Sequence, residues 1–383
     1  MKKNITLGIV VVLIVGSIVY FELQKKPAPA LKDSTVVTPS SQSEGREKII
    51  ADKDKKYGQA MEFVDASGYI NTDGIKISDL VGKKVILLDF WTYSCINCQR
   101  TTPYLNEWYE KYHDKGFEIL GVHTPEFEFE KELANVQSAV DKFDIKYPVI
   151  LDNEYSIWRT YGNRYWPRKY LIDIDGFVVY DHIGEGAYEE TEKKIQELLK
   201  ERAEVLKTEV DLADDMVTPK EVQEVDYSKK DSPEIYFGYE RNQYLGNGKI
   251  GTPGLQTFTA PTTVERNKLY LVGDWEITAQ YAQAKSANAK IIFRYTAKDV
   301  YMVASALAAN AAGGAQIALT LDGKPLGEIG GEDVDKSKSA AIVMADRLYK
   351  LVQGQEYGEH TLEITVKDTG EDPAFRAFTF TFG

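Results

Sequence analysis

The sequence predicts an α/β layered domain followed by an all-β antiparallel sandwich of jelly-roll type, and three observations predict it. From Ala60 to about Arg202, apolar β-branched runs alternate with stretches of helical period. From Ser232 onward the pattern changes to nine short alternating runs separated by turn residues, which is the spacing of antiparallel strands. Between a buried-strand run (Val85–Leu88) and a helical pattern (Tyr104, Leu105, Trp108, Tyr112) stand the only two cysteines of the chain, Cys95 and Cys98.

Taken in order, the chain begins with a charge-free apolar run, Ile5–Phe21, after Lys2 and Lys3. No convincing small-residue cleavage site follows it, so residues 1–23 are expected to be an uncleaved membrane anchor with the remainder outside the cytoplasm. Residues 24–57 are rich in Pro, Ser, Thr, Lys and Asp without periodicity and read as a flexible tether; such a coil reaches about 30 Å. Residues 58–206 form the α/β domain. Met61–Val64 and Lys76–Leu80 lead in, Val85–Trp91 is the central strand and Cys95–His113 the first helix. Phe117–Val122 is the next strand and Glu130–Phe143 a helix with Leu133, Val136 and Val140 on one face. Pro148–Leu151 is a short strand, Tyr155–Tyr161 a short helix, and Lys169–Ile174 with Phe177–Tyr180 a hairpin about Asp175-Gly176. Tyr188–Glu204 closes the domain as a helix. Residues 207–231 are charged, poor in large apolar residues, and read as a linker, and residues 232–383 form the β domain.

The net charge of −13 argues against nucleic acid as a partner, because phosphate recognition needs a basic face. The cysteine pair points to dithiol–disulfide exchange. Free N–H groups and the positive dipole end at a helix start stabilise a thiolate, and two cysteines three apart close a small disulfide. A structural staple would close a longer loop, since loop entropy is what it constrains. A zinc site needs further ligands, which the scattered His113, His123, His182 and His360 do not supply, and c-type haem attachment would need His where Gln99 stands. No cofactor is expected.

The arrangement Asp89-Phe90-Trp91, Cys95, Cys98 and Pro103, with the segments WTYSCINC, GVHTPEFEFE (Gly121–Glu130) and Trp166-Pro167 before KYLIDIDG, resembles the TlpA-like extracytoplasmic thioredoxin-fold proteins. Within them it looks most like the soluble portion of DipZ-type proteins. PEIYFGYER (Pro233–Arg241), Gly273-Asp274-Trp275, DRLYKLV (Asp346–Val352) and the terminal FTFTFG extend the resemblance to that type's carbohydrate-binding-module-like sandwich. The resemblance implies a thioredoxin-like fold in which Cys95 attacks a protein disulfide and Cys98 resolves the mixed disulfide. It further implies that Asp89 moves the proton of Cys98, that Pro167 is a cis-proline beside the thiols, and that Trp91 and Trp166 face the substrate. A CcdA-like membrane electron donor is implied as partner. Ile96-Asn97 between the cysteines, with no histidine there, leans towards a reductant.

Two other readings stand beside this one. In a thiol peroxidase of the redoxin type, Thr92 three before Cys95 would fit P-x-x-x-T-x-x-C, but Leu88 occupies the proline position. In a cell-envelope glycan-binding or adhesion module the thioredoxin part would be vestigial. Trp275, Tyr236, Tyr239 and Tyr244 could then line a sugar platform, the alternative being that they pack the sandwich. Glu126 and Glu128 read as a solvated acidic loop.

Overall fold

The computed structural model describes residues 44–213, 215–220, 222–306, 314–367 and 375–383. The expected anchor (1–23) and the first half of the tether lie outside the described residues. Among the described residues no helix is long and apolar enough to cross a membrane.

The remaining part of the expected tether is not free coil. It holds helix α1, Glu44–Asp54, which has no apolar stripe for periodicity to reveal and is docked by charge. Lys53 Nζ sits 2.6 Å from Asp173, 2.8 Å from Asp175 and 2.5 Å from Glu201, and Arg46 also pairs with Asp175.

The α/β domain is a six-stranded sheet in the order β1-β4-β3-β2-β5-β6. Its strands are β1 (Gly68–Ile70), β2 (Val85–Trp91), β3 (Phe117–His123), β4 (Val149–Leu151), β5 (Arg168–Ile172) and β6 (Val178–Ile183). The β2, β3 and β4 strands run parallel, and β1, β5 and β6 extend the sheet antiparallel at its flanks. Helices α2 (Ile96–Tyr112), α3 (Leu133–Lys142) and α4 (Tyr188–Leu206) supply its longer cover. The Lys76–Leu80 lead-in is a helical turn, Ile77–Leu80, because the Glu62 carboxylate accepts from the N–H groups of Ile77 (2.9 Å) and Ser78 (3.1 Å). The sheet's edges are β1 and β6.

Side-chain alternation along the strands decides what meets what. From β2, Ile86, Leu88 and Phe90 join Ile77 and Ile157 on one face. Val85, Leu87 and Trp91 join Leu105 and Trp108 of α2 and Ile195 of α4 on the other. Asp89 shares the parity of this second face, beneath the helix that carries the cysteines.

The C-terminal domain is all-β, and every ladder between its strands is antiparallel. Ten strands, β7 to β16, form one hydrogen-bonded set. Two of them are far longer than the sequence suggests. Lys290–Tyr295 and Val300–Ala304 belong to one 17-residue strand, β11 (Lys290–Ala306), and DRLYKLV runs on to Val366 in the 20-residue β15 (Arg347–Val366). A register shift between Ala297 and Asp299 breaks the alternation without breaking the pairing, so a pattern search splits them. Residues 207–231 hold no helix or strand beyond the end of α4 among the described residues, yet they are stitched to both domains. Val217 N–H donates to Glu192 (2.8 Å), Gln223 bonds Asp299 (2.6 Å) and Tyr301 (2.6 Å), and Tyr227 bonds Glu185.

The two domains share a buried apolar joint. Ile96 and Phe127 of the α/β domain pack with Tyr301 and Val303 of β11, Leu348 of β15 and Phe378 of β16 (Phe375–Phe382). Phe378 meets the rings of Phe127 at 5.1 Å and Phe129 at 4.9 Å. A Phe→Ala change in a packed core costs about 3 kcal/mol or more. Phe378→Ala is therefore expected to lower thermal stability and to open residues 207–231 to limited proteolysis, while a mutant as resistant as the parent would show that the joint is not what holds the domains together.

Candidate active site

The site is built at the C-terminal end of β2. Cys95 is the N-cap of α2, extended at φ −79°, ψ 118°, and its Sγ accepts the Cys98 N–H at 3.4 Å. An orphan donor of the first helical turn is thus aimed at the sulfur. Cys95 is half-buried, whereas Cys98 is 2% exposed, and both are free thiols. The Trp166-Pro167 peptide bond is cis, and Cys95 Sγ lies 3.8 Å from the Trp166 carbonyl oxygen. The Trp166 indole donates to the Thr124 carbonyl oxygen at 3.0 Å and packs on Trp158 at 4.3 Å. Distant parts of the chain, the α2 start and the β5 entry, are thereby brought against one sulfur.

Asp89 is 2% exposed and its Oδ1 has no hydrogen-bond partner. Burial pushes its carboxyl up to about 7, an effect that the Lys169 ammonium opposes. Burial first, then the neighbouring Cys95 and the Asp89 charge, push the Cys98 thiol up. His123 is fully buried, stacked on Tyr93 at 5.7 Å, and burial drives it down to about 3, so it is neutral and no candidate base.

Two expectations, for Trp91 and Glu126, are corrected here, and for Trp275 the packing reading is the one that holds. Trp91 is 2% exposed, edge-on to His123 at 5.1 Å, and sits inside the core because the β2 alternation turns it under α2; it cannot face a substrate. Trp275 is fully buried in the β domain core, with its indole N–H donated to the Val272 carbonyl oxygen at 3.0 Å, so it lines no sugar platform. Tyr239 and Tyr244 also pack against that core. Glu126 is not a solvated loop acid either, since it accepts from Tyr236 (2.9 Å) and Arg241 (2.7 Å) across the domain joint.

Two groups escape the sequence reading. Glu130 is buried and accepts from Ser94 Oγ at 2.6 Å and from the Phe127 N–H at 2.9 Å, fixing the approach to Cys95. Lys169 is fully buried opposite Asp89. A charged residue normally signals a solvent face, so neither position announces itself. Among the described residues the one cluster of acids close enough to hold a metal ion is Asp173, Asp175 and Glu201, and Lys53 already occupies its centre.

The Redoxin family matches residues 49–199, and the family described as Thioredoxin like C-terminal domain matches residues 232–383. Protein DipZ of Mycobacterium tuberculosis is 34% identical over 330 residues, covering 85% of this chain and 43% of that protein. The chain therefore spans less than half the length of that relative. Thiol-disulfide oxidoreductase ResA of Bacillus cereus is 37% identical over 138 residues, covering 35% of this chain and 76% of that protein. A partly exposed thiol capping a helix over a buried partner thiol, and relatives that keep this region over most of a ResA chain, place the protein in the thioredoxin-like thiol–disulfide oxidoreductases of the ResA and DipZ type.

Proposed function

We propose that this chain is a membrane-tethered, extracytoplasmic reductase of protein disulfides, working through Cys95 and Cys98, with a C-terminal β-sandwich that positions it against partners. The observation carrying the reading is the asymmetry of the pair, in which an accessible sulfur receives a helix-start N–H and a buried one lies a turn inwards. Cys95 thiolate attacks a substrate disulfide, forming a mixed disulfide and expelling one substrate thiolate. Cys98 thiolate then attacks Cys95 Sγ, closing the Cys95–Cys98 disulfide and releasing the second substrate thiol; two electrons pass to the substrate. A CcdA-like membrane donor would return them. Asp89 takes the Cys98 proton in this scheme, and Pro167 with Trp166 presents backbone to the substrate chain. The apolar run Ile5–Phe21 supports the tether and the extracytoplasmic placement. A glycan at the β domain would need a site other than the Trp275 platform.

The peroxidase alternative is disfavoured by Thr92, which is fully buried with its Oγ1 3.4 Å from His123 Nε2 rather than open beside Cys95. The full chain, given dithiothreitol, should reduce insulin disulfides and consume hydrogen peroxide no faster than free thiol does. Peroxide turnover without insulin reduction would favour the peroxidase, and neither activity would favour a vestigial domain.

A further inference from the structure

We propose that Lys169 is a positioning residue for the exchange reaction: its buried ammonium, cross-strand from Asp89 on the face beneath α2, is the shared counter-charge of Asp89 and Cys98 and sets the pH at which Cys98 resolves the mixed disulfide. The proposal rests on the reading of Cys98 as resolving thiol and Asp89 as its proton acceptor.

A lysine ammonium has three donors and is among the costliest groups to bury. Lys169 is fully buried, and its one hydrogen bond among the described residues goes to the Gly184 carbonyl oxygen at 3.2 Å. The Tyr188 ring of α4 lies 5.7 Å away, a weak supplement. Those contacts leave most of the charge uncompensated. In the β2–β5 register Lys169 stands directly opposite Asp89, and antiparallel partners share a face. Leu171, two residues on, belongs to the same cluster as Leu87, Trp91 and Cys98, which fixes that face as the one under α2. Asp89 Oδ1 in turn has no hydrogen-bond partner.

Other charges nearby do not serve instead. Glu185, beside Gly184, is clamped by Arg100 through two contacts of 2.7 Å and is further bonded by Tyr227. His182 on β6 turns to the Glu185 carbonyl oxygen at 3.1 Å, and burial lowers it towards the neutral form. Tyr147, which feels both Asp89 and Cys98, is held protonated by burial. Burial lowers Lys169, while Asp89, then Cys98, then Glu185 hold it up. One positive charge therefore faces two groups that exchange one proton. Before transfer the negative charge is on Asp89, and after it the charge is on Cys98. Lys169 balances both, so the proton moves without changing the net charge of the buried site. Without the ammonium, Asp89 would hold its proton to higher pH and be a poorer acceptor near neutrality.

The test uses the full chain, reduced, with 5,5′-dithiobis(2-nitrobenzoate) as probe. Attack by Cys95 releases a first thionitrobenzoate and resolution by Cys98 a second, so the two steps are read separately. Lys169→Met, which keeps length and removes charge, is expected to move the acid limb of the second phase upward by about one pH unit and to leave the first phase unchanged. Lys169→Gln, which can still bond the Gly184 carbonyl, should shift it likewise. A wild-type limb in either variant, or equal slowing at every pH, would overturn the proposal. If both variants fail to fold, carbon-13 NMR of the unsubstituted chain decides, because the Lys169 Cε resonance must respond to the Asp89 titration and a silent Cε overturns it. An Asp89→Asn chain with an unaltered second phase would instead bring down the underlying reading of Asp89.

Discussion

Cys98→Ser is expected to stall the protein as a stable mixed disulfide with its substrate, and Cys95→Ser to abolish reduction with almost nothing trapped. The reason is access before it is reactivity. Cys98 is 2% exposed on the buried side of the first turn of α2, so a protein disulfide cannot reach it without unfolding that turn. Cys95 is partly exposed and stands at the helix start, where the Cys98 N–H meets its sulfur at 3.4 Å. That amide also stabilises the Cys95 thiolate that makes the first attack on the substrate disulfide. Non-reducing electrophoresis of the two variants after incubation with an oxidised protein substrate reads the result. Equal trapping by both, or more by Cys95→Ser, would reverse the assigned roles.

How much of this was legible depended on whether a residue's type announced its environment. The β2 strand and its cysteines were legible because an unbroken run of apolar residues can only be buried, and two cysteines before a helical period have few other uses. Trp166-Pro167 could be placed near the thiols only by resemblance, since nothing local in the sequence brings residue 166 to residue 95. Helix α1 was hidden because charge, through Lys53 and Arg46, docks it rather than an apolar face. Trp91 was misplaced for a subtler reason. A residue next to an active site in sequence can be turned into the core by strand alternation, and seven consecutive buried residues in β2 leave no alternation to read. The same rule conceals Lys169, whose two neighbours Arg168 and Tyr170 give no sign that the residue between them points inwards. The joint at Ile96 is a third such case. A residue between two working cysteines is expected at the surface, yet it is 4% exposed because the β domain covers it.

Asp89→Asn should slow resolution of the mixed disulfide by about 100-fold near pH 7, the low end of what losing a positioned proton acceptor costs. Two effects of the change oppose one another. Removing the carboxylate eases ionisation of Cys98, but burial and the Cys95 contacts, which rank ahead of the Asp89 charge among the causes that raise that thiol, remain. Loss of the acceptor removes the route by which the buried proton leaves, and it dominates. The sign with pH follows from Asp89 being pushed up to about 7. Below that value it is protonated and cannot accept, so the wild-type rate should climb as pH rises through 7 and then level. The Asn variant has no such group, and its rate should rise only with the ionisation of Cys98 itself, at more alkaline pH. Stability carries the same signature in reverse. Between the ordinary carboxylate range and about pH 7 the native state keeps a proton that the unfolded chain has released, so this site lowers stability as pH rises through that window. A second thionitrobenzoate phase in Asp89→Asn that keeps both the wild-type rate and the wild-type limb near pH 7 would remove Asp89 from the reaction and leave its burial against Lys169 as a structural pairing alone.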